Sequence, residues 1–194
     1  MRILIMYATL MPVVIGGAAN MVFTKTTLYH RHRSPIDGGK SCSDGRRIFG
    51  DNKTWVGFFG MIAATSIAQM LWGLLSASFY TIGSRNELYC HFDNTFLFNA
   101  VAGVLFGLAY VIFELPNSFI KRRIGIQPGK TAHGLRGIAF FIIDQIDSLL
   151  GVVLILALIS GLTVPQYIQY IILGALTHIA LNASLYALRI RKNI

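Results

Sequence analysis

Ile138-Ala139-Phe140-Phe141-Ile142-Ile143-Asp144-Gln145-Ile146-Asp147-Ser148-Leu149-Leu150-Gly151-Val152-Val153-Leu154-Ile155-Leu156-Ala157 is the stretch on which the fold turns. It is apolar enough to cross a bilayer, which takes ~20 such residues for ~30 Å of hydrocarbon, yet it holds two aspartates. After Asp147 no charged residue occurs until Arg189. The charge-free part of this segment, residues 148–161, covers only ~21 Å as a helix. A segment that spans therefore carries both carboxylates within the depth of the membrane. Intramembrane carboxylates are costly and mark a site by default.

The same hydropathy recurs along the chain. Of 194 residues, 54% are hydrophobic and 13% charged, against ~25% charged in an ordinary soluble domain; the mean hydropathy is +0.59. No charge lies between Lys53 and Arg85. Five apolar segments are predicted to cross: residues 3–23, 55–80, 95–115, 137–161 and 166–188. Pro116 is expected to close the third, and Ser160 to Pro165 to break the fourth from the fifth. Such a chain is not a soluble enzyme, a disordered tail or a disulfide-stapled domain. It reads as an all-α polytopic integral membrane protein, a single domain over residues 1–194. Cys42 and Cys90 suggest no bridge.

The cations set the orientation. Lys25, Arg31, Arg33, Lys40, Arg46, Arg47 and Lys53 lie between the first two spans. Lys121, Arg122, Arg123, Lys130 and Arg136 lie between the third and fourth, and Arg189, Arg191 and Lys192 follow the fifth. The other side has only Arg2 and Arg85. The positive-inside rule then puts the N-terminus outside, the C-terminus in the cytoplasm and both long loops on the cytoplasmic side. Residues 3–15 also resemble a signal-peptide core, but cleavage after it would leave the seven-cation loop outside.

The net charge of +9, from 17 Lys+Arg against 8 Asp+Glu, points to an anionic partner: nucleic acid, lipid headgroups or nucleotides. In the first loop, glycines permit close backbone approach to a ligand and Lys and Arg supply countercharge. A basic loop resting on anionic lipid is the plainer alternative; the interleaved Asp37, Asp44 and Asp51 weigh against it. Gly39-Lys40-Ser41 and Gly125 to Thr131 nearly match a P-loop but fail its spacing, and neither follows a predicted strand. In the second loop, Glu114 faces Lys121, Arg122 and Arg123, either as their ion-pair partner or as part of a site.

Asp144 and Asp147 share one helix face at i, i+3, so their carboxylates can converge, and their charges oppose each other unless a cation sits between them. A hard divalent ion such as Mg²⁺ suits a pair of carboxylates plus phosphate oxygens. An ion pair with Lys130 or Arg136, or a proton relay, stays open. His30 and His32 have no cluster that would make a zinc site. His178 and Asn182, one turn apart on the fifth span, are either packing polarity or the lining of a cavity.

Assembled in order, these stretches resemble the CDP-archaeol synthase family, archaeol-type relatives of the CDP-diacylglycerol synthases. The matching residues are Met11-Pro12 with Ala19-Asn20, Pro35-Ile36-Asp37-Gly38-Gly39-Lys40, and Gly45-Arg46-Arg47-Ile48-Phe49-Gly50-Asp51-Asn52-Lys53-Thr54-Trp55. They continue with Glu114-Leu115-Pro116-Asn117-Ser118-Phe119-Ile120-Lys121-Arg122-Arg123-Ile124-Gly125, Pro128-Gly129 and Asp144-Gln145-Ile146-Asp147-Ser148. The chain departs from the family pattern at Val56, where arginine is usual.

The resemblance implies CMP transfer from CTP to a glycerol-lipid phosphate (archaeol-type phosphate or phosphatidate) with Mg²⁺. It puts the active site on the cytoplasmic face and implies no nucleic-acid partner. It implies Asp144 and Asp147 as metal ligands, catalytic together with Lys53 and Lys121. Pro35, Asp37, Gly38, Lys40, Arg46, Lys53 and Thr54 would serve the nucleotide. Asn117, Lys121, Arg122 and Arg123 would serve the lipid phosphate. The rival reading is a small transporter or ion relay through Asp144, Asp147 and His178. Small residues at 16–19 and 100–107 permit close helix contacts, within one chain or between chains, so the oligomeric state stays open.

Overall fold

The computed structural model describes residues 2–187, the side chain of Leu185 excepted. Leu188, Arg189, Arg191 and Lys192, counted above with the fifth span and the cytoplasmic cations, lie outside the described residues. The described chain is helical: α1 (Arg2–Phe23), α2 (Thr27–His32), α3 (Trp55–Ser78), α4 (Tyr80–Gly83), a 3₁₀ turn (Leu88–Cys90), α5 (Phe96–Arg123), α6 (Gly134–Ser160) and α7 (Val164–Ala187). Helices α1, α3, α5, α6 and α7 are long and apolar enough to cross a membrane. They match the five expected spans, while α2, α4 and the 3₁₀ turn add short pieces to the connections.

The boundaries follow local chemistry. Thr54 caps α3, its Oγ1 accepting from Gly57 N at 3.1 Å, and Thr95 caps α5 through Phe98 N at 3.2 Å. At the start of α7, Gln166 Oε1 reaches back to Thr163 N at 2.8 Å, a capping-box contact. Helix α6 ends at Gly161 in the left-handed region (φ 64°).

One expected boundary is wrong. Helix α5 does not stop at Pro116 but runs through it to Arg123. Proline removes one backbone donor and crowds the preceding turn, and Pro116 itself is exposed. The residues that follow it on the bundle side, Asn117, Ser118 and Arg122, are buried. Their tertiary contacts hold the next two turns in helical geometry despite the proline, as neighbouring helices do for membrane prolines generally.

The bundle is apolar outside and mixed inside. Leu97, Leu158 and Val164 are exposed, whereas Thr65, Gln69, Asn99 and Asn182 are buried. Gln69 Nε2 donates to Asn99 Oδ1 at 2.8 Å, tying α3 to α5. The apolar core, built on Leu10, Phe106, Val153, Leu156 and Tyr170, joins α1, α5, α6 and α7. Lipid tails are as apolar as leucine, so close packing of small residues draws such helices together.

The small-residue runs in α1 and α5 are spent within the chain. A Cβ on Gly16 would stand 2.7 Å from Thr65 Oγ1, on Gly103 2.5 Å from Ser66 Cα, and on Gly107 2.7 Å from Ile62 Cα. Gly103→Val should therefore force α3 and α5 apart and cost about 1–3 kcal/mol. Thermal unfolding in detergent checks this against Val101→Leu, a change on the exposed face of the same helix that should leave stability nearly unchanged.

Candidate functional site

The first long loop is folded around one carboxylate. Asp37, whose side chain has no exposed surface, accepts from Gly39 N (3.1 Å), Phe49 N (3.0 Å) and Gly50 N (2.9 Å). Arg47 grips the same carboxylate, with Nη2 2.5 Å from Oδ1, and donates through Nη1 to Asp51 at 2.7 Å. Burial alone would raise the Asp37 pKa, but the Arg47 hydrogen bond and the three backbone donors outweigh it and hold it well below the usual carboxylate range. Pro35 pairs with Thr54 across the base of the loop, and Thr54 also meets Tyr29 Oη at 3.0 Å. The loop therefore stands as a folded hairpin on the N-terminus of α3, with Lys53 fixed at its root.

The second loop is latched to the first. Arg123, at the end of α5, donates to Asp44 Oδ1 at 2.5 Å, to Arg46 O at 2.9 Å and to Arg47 O, while Arg46 Nη1 donates back to Arg123 O. Gly50 (φ 93°) lies so close to the second loop that a Cβ there would be 2.6 Å from Pro128 Cγ.

Beneath the latched loops lies a cavity of about 380 Å³, within the ~300–1,000 Å³ of small-molecule sites. Lys53, Glu114, Asn117, Lys121, Arg122, Asp144 and Asp147 line it together. Lys121 Nζ donates to Asp144, 2.5 Å from Oδ2. Asn117 Nδ2 is 2.6 Å from both Asp144 Oδ1 and Asp147 Oδ2. Lys53 Nζ pairs with Glu114. Burial opposes the charge on Lys53, but Glu114, with Asp147 and Asp144 behind it, more than compensates and raises its pKa.

Arg122 is only 8% exposed, and its Nη1 is buried with no hydrogen-bond partner. A buried guanidinium that none of the cavity's carboxylates pairs is costly until an anion meets it. Asn117 Oδ1 is likewise buried and unpartnered. The arrangement offers both phosphate receptors and a paired-carboxylate cation site. No group of three or more His, Cys, Asp or Glu suited to a metal occurs among the described residues. A cation here would thus take two carboxylates and further oxygen ligands, a donor set that fits hard Mg²⁺.

Not every expected site residue reaches this cavity. Pro35, Asp37, Gly38, Lys40, Arg46, Thr54 and Arg123 do not line it. Asp37 and Arg47 hold the loop; Arg46 and Arg123 form the latch; Gly38 and Gly39 (φ 56° and 81°) serve the turn and border open space. Conversely, Asn52, Tyr110 and Gln145 line the cavity and were not singled out above. Gln145 carried a visible signal, a polar residue between two aspartates on an apolar helix. It is buried and accepts from Asn182 Nδ2 at 3.2 Å. His178 and Asn182 line the same cavity. From there a narrow apolar slot, lined by Leu10, Val13, Leu149, Gly174 and Leu181, runs between α1, α6 and α7 and shares Met21, Tyr110 and His178 with the cavity.

Residues 3–194 match the family described as "CarS-like: CDP-archaeol synthase". A CDP-archaeol synthase of Methanococcoides burtonii is 33% identical over 81% of this chain and 88% of its own. One from Pyrobaculum islandicum is 31% identical over 99% of this chain and 98% of its own. A solved structure of an intramembrane enzyme for archaeal membrane lipids biosynthesis superposes with a TM-score of 0.63 at 26% identity, covering 91% of this chain and 92% of that one.

Replacing Asp37 by Asn should loosen the loop by about 1.5–3 kcal/mol, since hydrogen bonds to a charged acceptor are lost. Faster tryptic cleavage after Arg46 and Arg47 in detergent measures it. Because the folded-state pKa is lowered, the stabilisation is complete above the ordinary aspartate value of 3.8 and fades only as pH falls below it. Trp55 fluorescence in a Trp72→Phe background should accordingly hold steady from neutral pH down to that value and change beneath it.

Proposed function

We propose that the chain, which belongs to the CDP-archaeol synthase family, uses the cavity under its two latched loops to pass CMP from CTP to a glycerol-lipid phosphate. It is an integral membrane cytidylyltransferase of lipid biosynthesis. The observation that carries the detailed reading is the convergence of Lys53, Lys121 and Arg122 with the Asp144–Asp147 pair on one cavity.

In the proposed reaction an oxygen of the lipid phosphate attacks the α-phosphorus of CTP in line. The new P–O bond forms as the bond from the α-phosphorus to the bridging oxygen breaks, and pyrophosphate leaves with that electron pair. No protein nucleophile is required, so the residues position the reactants and neutralise their charge.

Lys53, kept cationic by Glu114, is assigned to the nucleotide phosphates. Lys121 and Arg122 are assigned to the lipid phosphate, since both follow the membrane-facing turns of α5 and border the cavity. Asp144 and Asp147 are assigned to Mg²⁺, which when bound would neutralise phosphate charge. Lys121 also pairs with Asp144, so substrate and cation together must open that ion pair. Arg46 and Arg123 act at a distance, by holding the loops that roof the site. The apolar slot beside His178 suits the lipid tails. The cation-rich end is assigned to the cytoplasm by the positive-inside rule. That the relatives are CDP-archaeol synthases favours an archaeol-type phosphate over phosphatidate.

The test is pyrophosphate release by detergent-purified protein given CTP, Mg²⁺ and either the ether lipid phosphate or phosphatidate. Release should need a lipid phosphate and be faster with the ether lipid. Asp144→Asn should lower it by at least about 100-fold while thermal unfolding shows a folded protein. No release with either lipid from folded protein would overturn the reading. Lys121→Ala should raise the apparent KM for the lipid by roughly tenfold, the worth of one charge-assisted contact, and a rise confined to CTP would reassign it to the nucleotide.

A further inference from the structure

Asn117 sits where its amide is strongly engaged at one end and idle at the other. Its Nδ2 lies 2.6 Å from Asp144 Oδ1 and 2.6 Å from Asp147 Oδ2, donating one hydrogen to each carboxylate. Its Oδ1 has no hydrogen-bond partner although the residue is only 7% exposed and lines the cavity. A buried amide oxygen is an acceptor with two lone pairs, and leaving it idle is costly. The two carboxylates, contributed by one face of α6, supply too few oxygens for a hard cation by themselves; Glu114, on the same cavity, is engaged by Lys53, and no group of three or more acids, cysteines and histidines suited to a metal occurs among the described residues.

We infer that Asn117 is the third protein ligand of the cation held by Asp144 and Asp147. Its side-chain amide turns over so that Oδ1 replaces Nδ2 between the carboxylates. The inference rests on the proposed metal role of that pair. Without a cation, Nδ2 is the only end of the amide that the two carboxylates accept, because a third oxygen there would be repelled. With a cation the preference inverts, since a hard ion takes oxygen and rejects an N–H donor. One residue thus holds the carboxylates together before a cation binds and ligates once it has bound. The remaining coordination positions stay available to phosphate oxygens.

The test reads Mn²⁺ binding to the detergent-purified full chain, by electron paramagnetic resonance of the free ion and by thermal unfolding with and without Mn²⁺. The variants are Asn117→Leu, Asn117→Asp and, as control, Asp144→Asn. Asn117→Leu should weaken binding by at least about tenfold. Asn117→Asp, which restores an oxygen but cannot donate as a carboxylate, should bind at least as tightly as the unaltered protein. It should also unfold at a lower temperature without Mn²⁺ and regain that loss when Mn²⁺ is added.

Equal loss of Mn²⁺ in both Asn117 variants would mean that the side chain serves only as a donor, and would overturn the inference. Unchanged binding in Asn117→Leu, with binding lost in Asp144→Asn, would overturn it while leaving the carboxylate site intact. No binding by the unaltered protein, or full binding by Asp144→Asn, would remove the metal reading and this inference with it.

Discussion

A carboxylate within a membrane-spanning helix must be met by cations or hydrogen-bond donors, because lipid supplies neither. Asp144 and Asp147 impose that demand on α6, and the neighbouring elements answer it at the end of the bundle where the two long loops lie. Helix α5 sends Asn117 and Lys121 to the pair, which obliges it to continue past Pro116. The root of the first loop brings Lys53, itself steadied by Glu114. These groups can reach two points on α6 only if α5 and the loop are held within hydrogen-bonding distance of it. The cavity is what that requirement leaves open between them.

Precision at the site depends on parts that never touch it. Beyond the short α2 and two isolated bridge pairs, Pro35 with Thr54 and Ser41 with Arg47, the first loop is organised from within by Asp37, on which the backbone donors of Gly39, Phe49 and Gly50 converge with Arg47. The Arg46–Arg123 latch then fixes that loop against the end of α5. Several basic residues that read in sequence as phosphate receptors are therefore engaged by backbone carbonyls and acids of the loops. Arginine serves this purpose well because its fork holds two or more acceptors in fixed directions. Arg122, one residue before Arg123, turns the other way into the cavity with Nη1 unpartnered. A helix places consecutive residues about 100° apart, so neighbours in a run of cations divide between architecture and function.

Much of the fold was legible in the sequence because bilayer crossing is a property of single segments. Length and apolar composition are enough to define each of the five spans, whatever their neighbours do. Pro116 was misread for the complementary reason: a proline's local cost counts against helix, and the contacts of Asn117, Ser118 and Arg122 that outweigh it are tertiary. The convergence of Asp144 and Asp147 was equally legible, since i, i+3 spacing on one helix fixes it. That Gln145, Asn182 and His178 border the same cavity depends on how α7 packs on α6, which no spacing within either helix encodes.

Five helical membrane spans, two carboxylates within the fourth of them and cations gathered at one end were all readable from the chain alone. They were so because each of these is a local property: hydropathy, helical period and charge count. Which cations face the cavity, which oxygen atoms are left unpartnered and which small residues are consumed by contacts within the chain emerge only once the helices and loops are packed. Those outcomes depend on distances between helices and loops remote in sequence, and such distances are set by packing and by the need to meet buried charge.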